Sequence, residues 1–264
     1  MKHRNSYLSC LLLSVTLFLY SCNTSNSGND IPPELPSTET MTVDMSEMES
    51  VSNKAPAKMA ESNFNTALIA VGVAKIILEA NLAIPKALVS AAQNATVEST
   101  GDAEWEWNYV TAANGQNFGV MLTASIDNSD KVNWNFYVTN SSLGIEDVLF
   151  FTGTSDREGN SGTWTYFDLS TQSEVSTIEW ERTENEVSIR LDVESDKNDN
   201  LGDYITYDFD GTIKSVTFFD ASENNTSIIS FNTETNTGFI ISPNYNEGAK
   251  SCWDENLNNI MCTS

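Results

Sequence analysis

From Gly101 onward apolar and polar residues alternate with a period of two, and this leaves the chain few folds to choose from. Trp105, Trp107 and Tyr109 interleave with Glu104, Glu106 and Asn108, and Val132, Trp134, Phe136 and Val138 with Asn133, Asn135 and Tyr137. Val187, Ile189, Leu191 and Val193 do the same with Ser188, Arg190, Asp192 and Glu194. Neighbouring side chains of a strand point to opposite faces, so such runs mark strands with one buried and one wet side. The pattern predicts strands near 104–112, 117–126, 131–139, 147–152, 162–169, 175–182, 186–193, 203–210, 213–219, 226–232 and 237–242. The breaks between them are short and carry turn residues, among them Asn114-Gly115, Asp210-Gly211 and Asn224-Asn225. Breaks this short cannot hold the crossover helices of a parallel sheet. The expected fold is therefore an antiparallel meander of about eleven strands.

Two segments before the strands have a different character. Residues 61–96 carry long helix-favouring runs, with Phe64, Leu68, Val71, Lys75, Leu78 and Leu82 on one side and Ile69, Val73, Ile76 and Ile77 on the other. A helix apolar nearly all round is buried or lies in a membrane. Lys75, Glu79 and Asn81 argue against a membrane span. Pro85 stops or kinks the helix, so the segment is read as a kinked helix or helical hairpin packed on the sheet. Residues 22–60 are poor in large apolar groups and rich in Ser, Thr, Asn, Glu and Met, with four prolines. Such a composition predicts a disordered tether, which at ~5–6 Å per root residue would hold the body roughly 30–35 Å from its attachment point. Met41, Met45 and Met48 nevertheless fall at helical spacing. The helix and sheet, 61–264, form one domain.

The first residues concern location. Met1-Lys2-His3-Arg4 is basic, Leu8 to Leu19 is an apolar stretch too short to span a bilayer comfortably, and Leu19-Tyr20-Ser21-Cys22 follows. This succession resembles the signal peptide and lipobox of bacterial lipoproteins, with Tyr20 bulkier than usual before the cysteine. The resemblance implies removal of residues 1–21, diacylation of Cys22 and a body held at the cell envelope. Asn23 in place of aspartate points to the outer membrane if retention follows the enterobacterial pattern.

Cleavage would remove the only histidine, His3, and leave 11 basic against 37 acidic residues, a formal charge of −26. A mature chain without histidine cannot build a Ser-His-Asp triad, a Cys-His dyad or a histidine-bearing metal site. Its charge repels phosphate backbones, so nucleic acid is not an expected partner. Cys252 and Cys262 are predicted to form a disulfide, because the exported compartment permits it and Cys22 is lipid-modified. Asp196, Asn198 and Asn200 alternate as in a calcium loop. However, Leu201 and Tyr207 occupy the glycine and glutamate positions of an EF-hand, which leaves a looser calcium turn or a solvated hairpin loop. No spacing selects two catalytic carboxylates from Glu104, Glu106, Asp168, Glu179 and Glu181, and no catalytic residue is assigned. Trp105, Trp107, Trp134, Trp164 and Trp180 sit at core-facing positions of the alternation rather than on a stacking surface.

A meander wrapped on a hydrophobic helix resembles, in architecture, the half-barrel of bacterial lipoprotein carriers and related lipid-binding lipoproteins. Two functions follow as expectations. One is a non-catalytic binding or interaction module for an envelope component. The other is a carrier of a lipid or other apolar ligand in the concave face of the sheet. A concave face already filled by Ile69, Ile76, Ile77 and Leu78 would favour the first, and an empty apolar cavity the second.

Overall fold

The computed structural model describes residues 31–53, 62–196 and 200–262. Cys22 and the whole signal segment lie outside them. The strands are β1 Val97–Gly101, β2 Glu104–Ala113, β3 Gln116–Ile126, β4 Val132–Asn140, β5 Ile145–Ser155, β6 Ser161–Phe167 and β7 Glu174–Arg182. They continue as β8 Val187–Val193, β9 Tyr204–Phe209, β10 Ile213–Asp220, β11 Asn225–Asn232, β12 Gly238–Ile241, β13 Ser251–Trp253 and β14 Asn259–Ile260. All fourteen pair antiparallel with their sequence neighbours in one open sheet.

The count exceeds the expected eleven because β1, β13 and β14 carry no usable alternation. β1 is exposed along nearly its whole length, β13 has three residues and β14 two. Backbone pairing places these pieces at the sheet's two edges, and at β13 the buried Trp253 and the Cys252–Cys262 disulfide add to it. Between them, β2–β12 follow the alternation closely. The β2–β3 turn has positive φ at both Asn114 (48°) and Gly115 (73°), the conformation that a two-residue hairpin turn requires and that an Asn-Gly pair adopts readily.

Helix α1 is Ser46–Ser52 and α2 is Asn63–Ala92. The axis of α2 bends by 63° between Asn63–Glu79 and Asn81–Ala92. Pro85 has no N–H to offer the Asn81 carbonyl four residues earlier, and its ring crowds that carbonyl. No single helix among the described residues is long and apolar enough to cross a membrane. Phe64 packs edge-on against Trp253 of β13, with ring centroids 5.6 Å apart, and the Leu88 carbonyl accepts a 2.8 Å hydrogen bond from Tyr109 of β2. Laid flat, eleven strand spacings from β2 to β13 would measure ~53 Å, whereas 24 helical residues reach at most ~36 Å. The sheet therefore curls, and α2 bridges its two ends.

The buried face of every long strand lines the inside of this curl, in a belt of aromatic rings. Phe136 stacks on Phe151 at 4.0 Å and Trp164 on Trp180 at 5.3 Å, with Trp107 6.0 Å from Trp134. Three cross-strand pairs set tryptophan over glycine: Trp164 over Gly153, Trp180 over Gly162 and Trp253 over Gly238. A Cβ on Gly153 would sit 2.2 Å from the Trp164 ring, and one on Gly238 2.3 Å from Trp253. Only a missing side chain lets the indoles lie flat there.

Two expectations about the N-terminal half need correction. Residues 31–53, assigned to a disordered tether, contain a 3-10 turn at Thr38–Met41 and helix α1, and bury Met41, Val43, Met45 and Met48 completely or nearly so. The domain therefore begins before residue 61. Helix α2 is also not buried all round. Phe64, Ala67, Val71, Ala74, Leu78 and Leu82 face the core, but Ile69 (61 % exposed), Val73 (50 %) and Ile76 (70 %) face outward.

Candidate functional site

The concave face is the first place to look for a site, and it is occupied. Residues 31–53 form a strap along it, and the strap's chemistry explains its path. It carries five carboxylates and no basic residue, and the sheet and helix meet it with cations. Arg182 on β7 pairs with Glu39 at 2.8 Å, and Lys75 on α2 pairs with Glu49. Lys214 on β10, only 3 % exposed, pairs with Asp44 at 2.7 Å and also with Glu47. The Tyr207 hydroxyl donates to the Asp44 carbonyl at 3.0 Å, and the Glu34 amide donates to the Arg157 carbonyl at 2.9 Å. Three methionines fill the space beneath, a use suited to their flexible, polarisable side chains. Burial pushes the Asp44 carboxyl up, but hydrogen bonds from Lys214 and Ser46 outweigh it and hold the group below the usual carboxylate range. Burial with the nearby Asp44 and Glu47 charges raises the Tyr207 hydroxyl, keeping it a donor at neutral pH.

The outer face of β6–β10 offers the other arrangement of functional groups. Arg190 clamps Asp192 through two hydrogen bonds of 2.7 and 2.5 Å and lies 4.1 Å over the Tyr204 ring. Tyr204 in turn stacks on Phe219 at 5.0 Å. Carboxylate, guanidinium and two rings thus form one row across β8, β9 and β10, with the aromatic faces half-exposed. Beside it lie two shallow depressions of about 340 and 450 Å³. They share Glu181, Ser188 and Asp208, the last two linked by a 2.8 Å hydrogen bond. The surface offers acceptors, a fixed cation and planar rings, which suits contact with a polar ligand or a protein surface. Both depressions are open to solvent.

The residues singled out from sequence fall into four groups. Cys252 and Cys262 are joined as a disulfide, with Cα atoms 5.3 Å apart, where β13 meets the chain's end. Asp196 is exposed and Asn200 half-buried, but Asn198 lies outside the described residues. Among the described residues no group of three or more His, Cys, Asp or Glu is placed to hold a metal ion. Trp105, Trp107, Trp134, Trp164 and Trp180 are all core residues. Glu179 and Glu181 project outward from β7, whereas Asp168 caps its own turn by accepting from the amides of Ser170 and Thr171. The sequence pattern gives no sign of the strap contacts or of the Arg190–Tyr204–Phe219 row. Both depend on which strands become neighbours.

No protein-family model matches this chain, and neither a curated protein nor a solved structure matches it.

Proposed function

We propose that the protein is a non-catalytic binding module of the cell envelope. In this reading Cys22 is acylated, the body stands outside the cytoplasm at the outer membrane, and the outer face of β6–β10 makes the contact. The observation that carries it is the occupied concave face. Helix α2 and the strap bury their apolar side chains there, and a ligand would have to displace Met41, Met45, Met48 or Leu78 to enter. The helix fills it with Leu78 and partly with Ile77, rather than with Ile69 and Ile76. A mature chain without histidine has no histidine-dependent triad, dyad or metal site to offer, which leaves carboxylate or Ser–Lys chemistry as the only catalytic alternatives to this reading.

A second reading, a carrier of a lipid or other apolar ligand, is favoured by one feature. Part of the filling is a separate strap held by flexible methionines and ion pairs, which a ligand could displace. Native mass spectrometry of protein gently extracted from its source envelope separates the two. A binding module brings no apolar adduct, and delipidated protein does not bind a hydrophobic probe saturably. A reproducible stoichiometric lipid adduct would reverse the order. The anchor is tested by expressing Cys22→Ala in a Gram-negative host, where membrane association and the diacylglyceryl mass should both disappear.

A further inference from the structure

The N-terminal end of α2 is pinned by the end of the chain. Asn63 is 8 % exposed, and its polar groups find their partners beyond residue 244. Its amide donates to Asn259 Oδ1 at 2.8 Å, its Nδ2 donates to the Cys252 carbonyl at 2.7 Å, and its Oδ1 accepts from the Tyr245 hydroxyl at 2.7 Å. The first amides of a helix have no partner within it, so Asn259 serves Asn63 as the Ser62 hydroxyl serves Asn65. Asn259 is itself weakly placed. It belongs to β14, two exposed residues at the sheet's edge that pair only with β13. So short an edge strand buries little and frays readily. The Asp254–Asn258 turn and the buried Leu257 help to hold it, and the Cys252–Cys262 bond closes the hairpin into a ring.

That bond can be reached from solvent. Cys252 alternates with the buried Ser251 and Trp253 and so faces outward from β13. It lines an open depression of about 390 Å³ together with Phe239, Ile260 and Lys250, whose ammonium stands 4.1 Å over the Phe239 ring. On an otherwise acidic chain, a cation beside the bond favours the approach of a thiolate.

We infer that Cys252–Cys262 is a redox-sensitive latch on α2. A dithiol reductant entering the outer depression cuts the bond, β14 comes away, and the N-terminal end of the helix is released from the sheet. In the first step the reductant's thiolate attacks Cys252 Sγ, the S–S bond breaks, and Cys262 leaves as a thiolate and takes up a proton. The reductant's second thiol then attacks its own sulfur in the mixed disulfide and expels Cys252, which is protonated in turn. The protein gains two electrons and two protons, and the dithiol ends as a disulfide. The loosened end is where Phe64 packs on Trp253, so opening starts at the seam by which α2 closes the curl. This acts within the folded molecule and is separate from the ring's effect on the unfolded chain.

Backbone order parameters from nuclear magnetic resonance, on oxidised protein and on protein reduced with dithiothreitol without denaturant, test the latch. In oxidised protein the amides of residues 63–66 and 259–260 should be as ordered as the central strands, at about 0.85. Reduction should drop 259–260 below about 0.6 and lower 63–66 as well, while Ile178 and Leu191 stay unchanged. Asn259→Ala, with the bond intact, should loosen 63–66 but leave Ile260 ordered, and reducing that variant should add nothing further at 63–66. Full order at 63–66 in reduced protein would overturn the inference, as would a bond that dithiothreitol cuts only in denaturant. Loss of order throughout the sheet, or a Cys252→Ser/Cys262→Ser protein that fails to fold, would overturn it in favour of a bond that supports the whole domain. Further loosening of 63–66 on reducing Asn259→Ala would show that Asn259 does not carry the effect.

Discussion

Breaking the Lys214 contact from its two sides should give unequal results. Lys214 is 3 % exposed, while the Asp44 and Glu47 side chains that it holds are 54 % and 46 % exposed. Lys214→Met keeps the aliphatic stem and lets both carboxylates return to water. The loss is then that of two half-exposed ion pairs, about 1–2 kcal/mol. Asp44→Ala/Glu47→Ala instead strands an ammonium in the interior, which costs about 3–5 kcal/mol unless the lysine sheds its proton or the strap lets go. Letting go is the cheaper relief, since it returns Lys214 to solvent without unfolding the sheet. The difference of roughly 2 kcal/mol corresponds to about a thirtyfold larger strap-open population in the acid-deleted variant. A glutamate-specific protease reads that population through cleavage at Glu39 and Glu49, with urea unfolding as the measure of the rest of the domain. If Lys214→Met opened the strap as much as the double variant, the strap would not be held as argued.

Acid should release the same strap. A carboxyl held below its usual range contributes stability that is complete above its unfolded pKa of ~3.9 and is lost as pH falls through its folded value. Hydrogen-exchange protection of residues 38–52 should therefore be complete at pH 5 and fall away only below the ordinary carboxylate value of ~3.9, whereas protection independent of pH throughout the acid range would count against Asp44 as the sensor. Gly153→Ala should cost about 3 kcal/mol or more in urea melts, because the new methyl meets both the Trp164 ring and the Thr163 carbonyl. Gly72→Ala, in open space on α2, should instead stabilise by about 0.5–1 kcal/mol, and a loss there would mean that the helix is not solvent-facing at that point. Reducing Cys252–Cys262 should cost roughly 3 kcal/mol by the loss of a small ring, and two reactive thiols in unreduced protein would show that the bond does not form.

The central strands and the bend of the helix are legible in the amino-acid sequence alone. In β2–β12 most residues take the face that their own polarity predicts, with buried Lys214 and exposed Val110 among the exceptions, the turns are local, and Pro85 acts on the residue four positions before it. None of these features depends on distant contacts. The strap is illegible for the opposite reason. Its composition cannot offset the entropy of ordering it in isolation, and it folds only because the curled sheet supplies a groove with Lys214, 170 positions away, facing Asp44. The edge strands β1, β13 and β14 are similarly set by backbone pairing rather than by side-chain pattern. The exposed face of α2 marks the same boundary. A helix apolar on all sides carries no signal of which side turns inward, and only its passage between the two ends of the sheet leaves Ile69, Val73 and Ile76 outside.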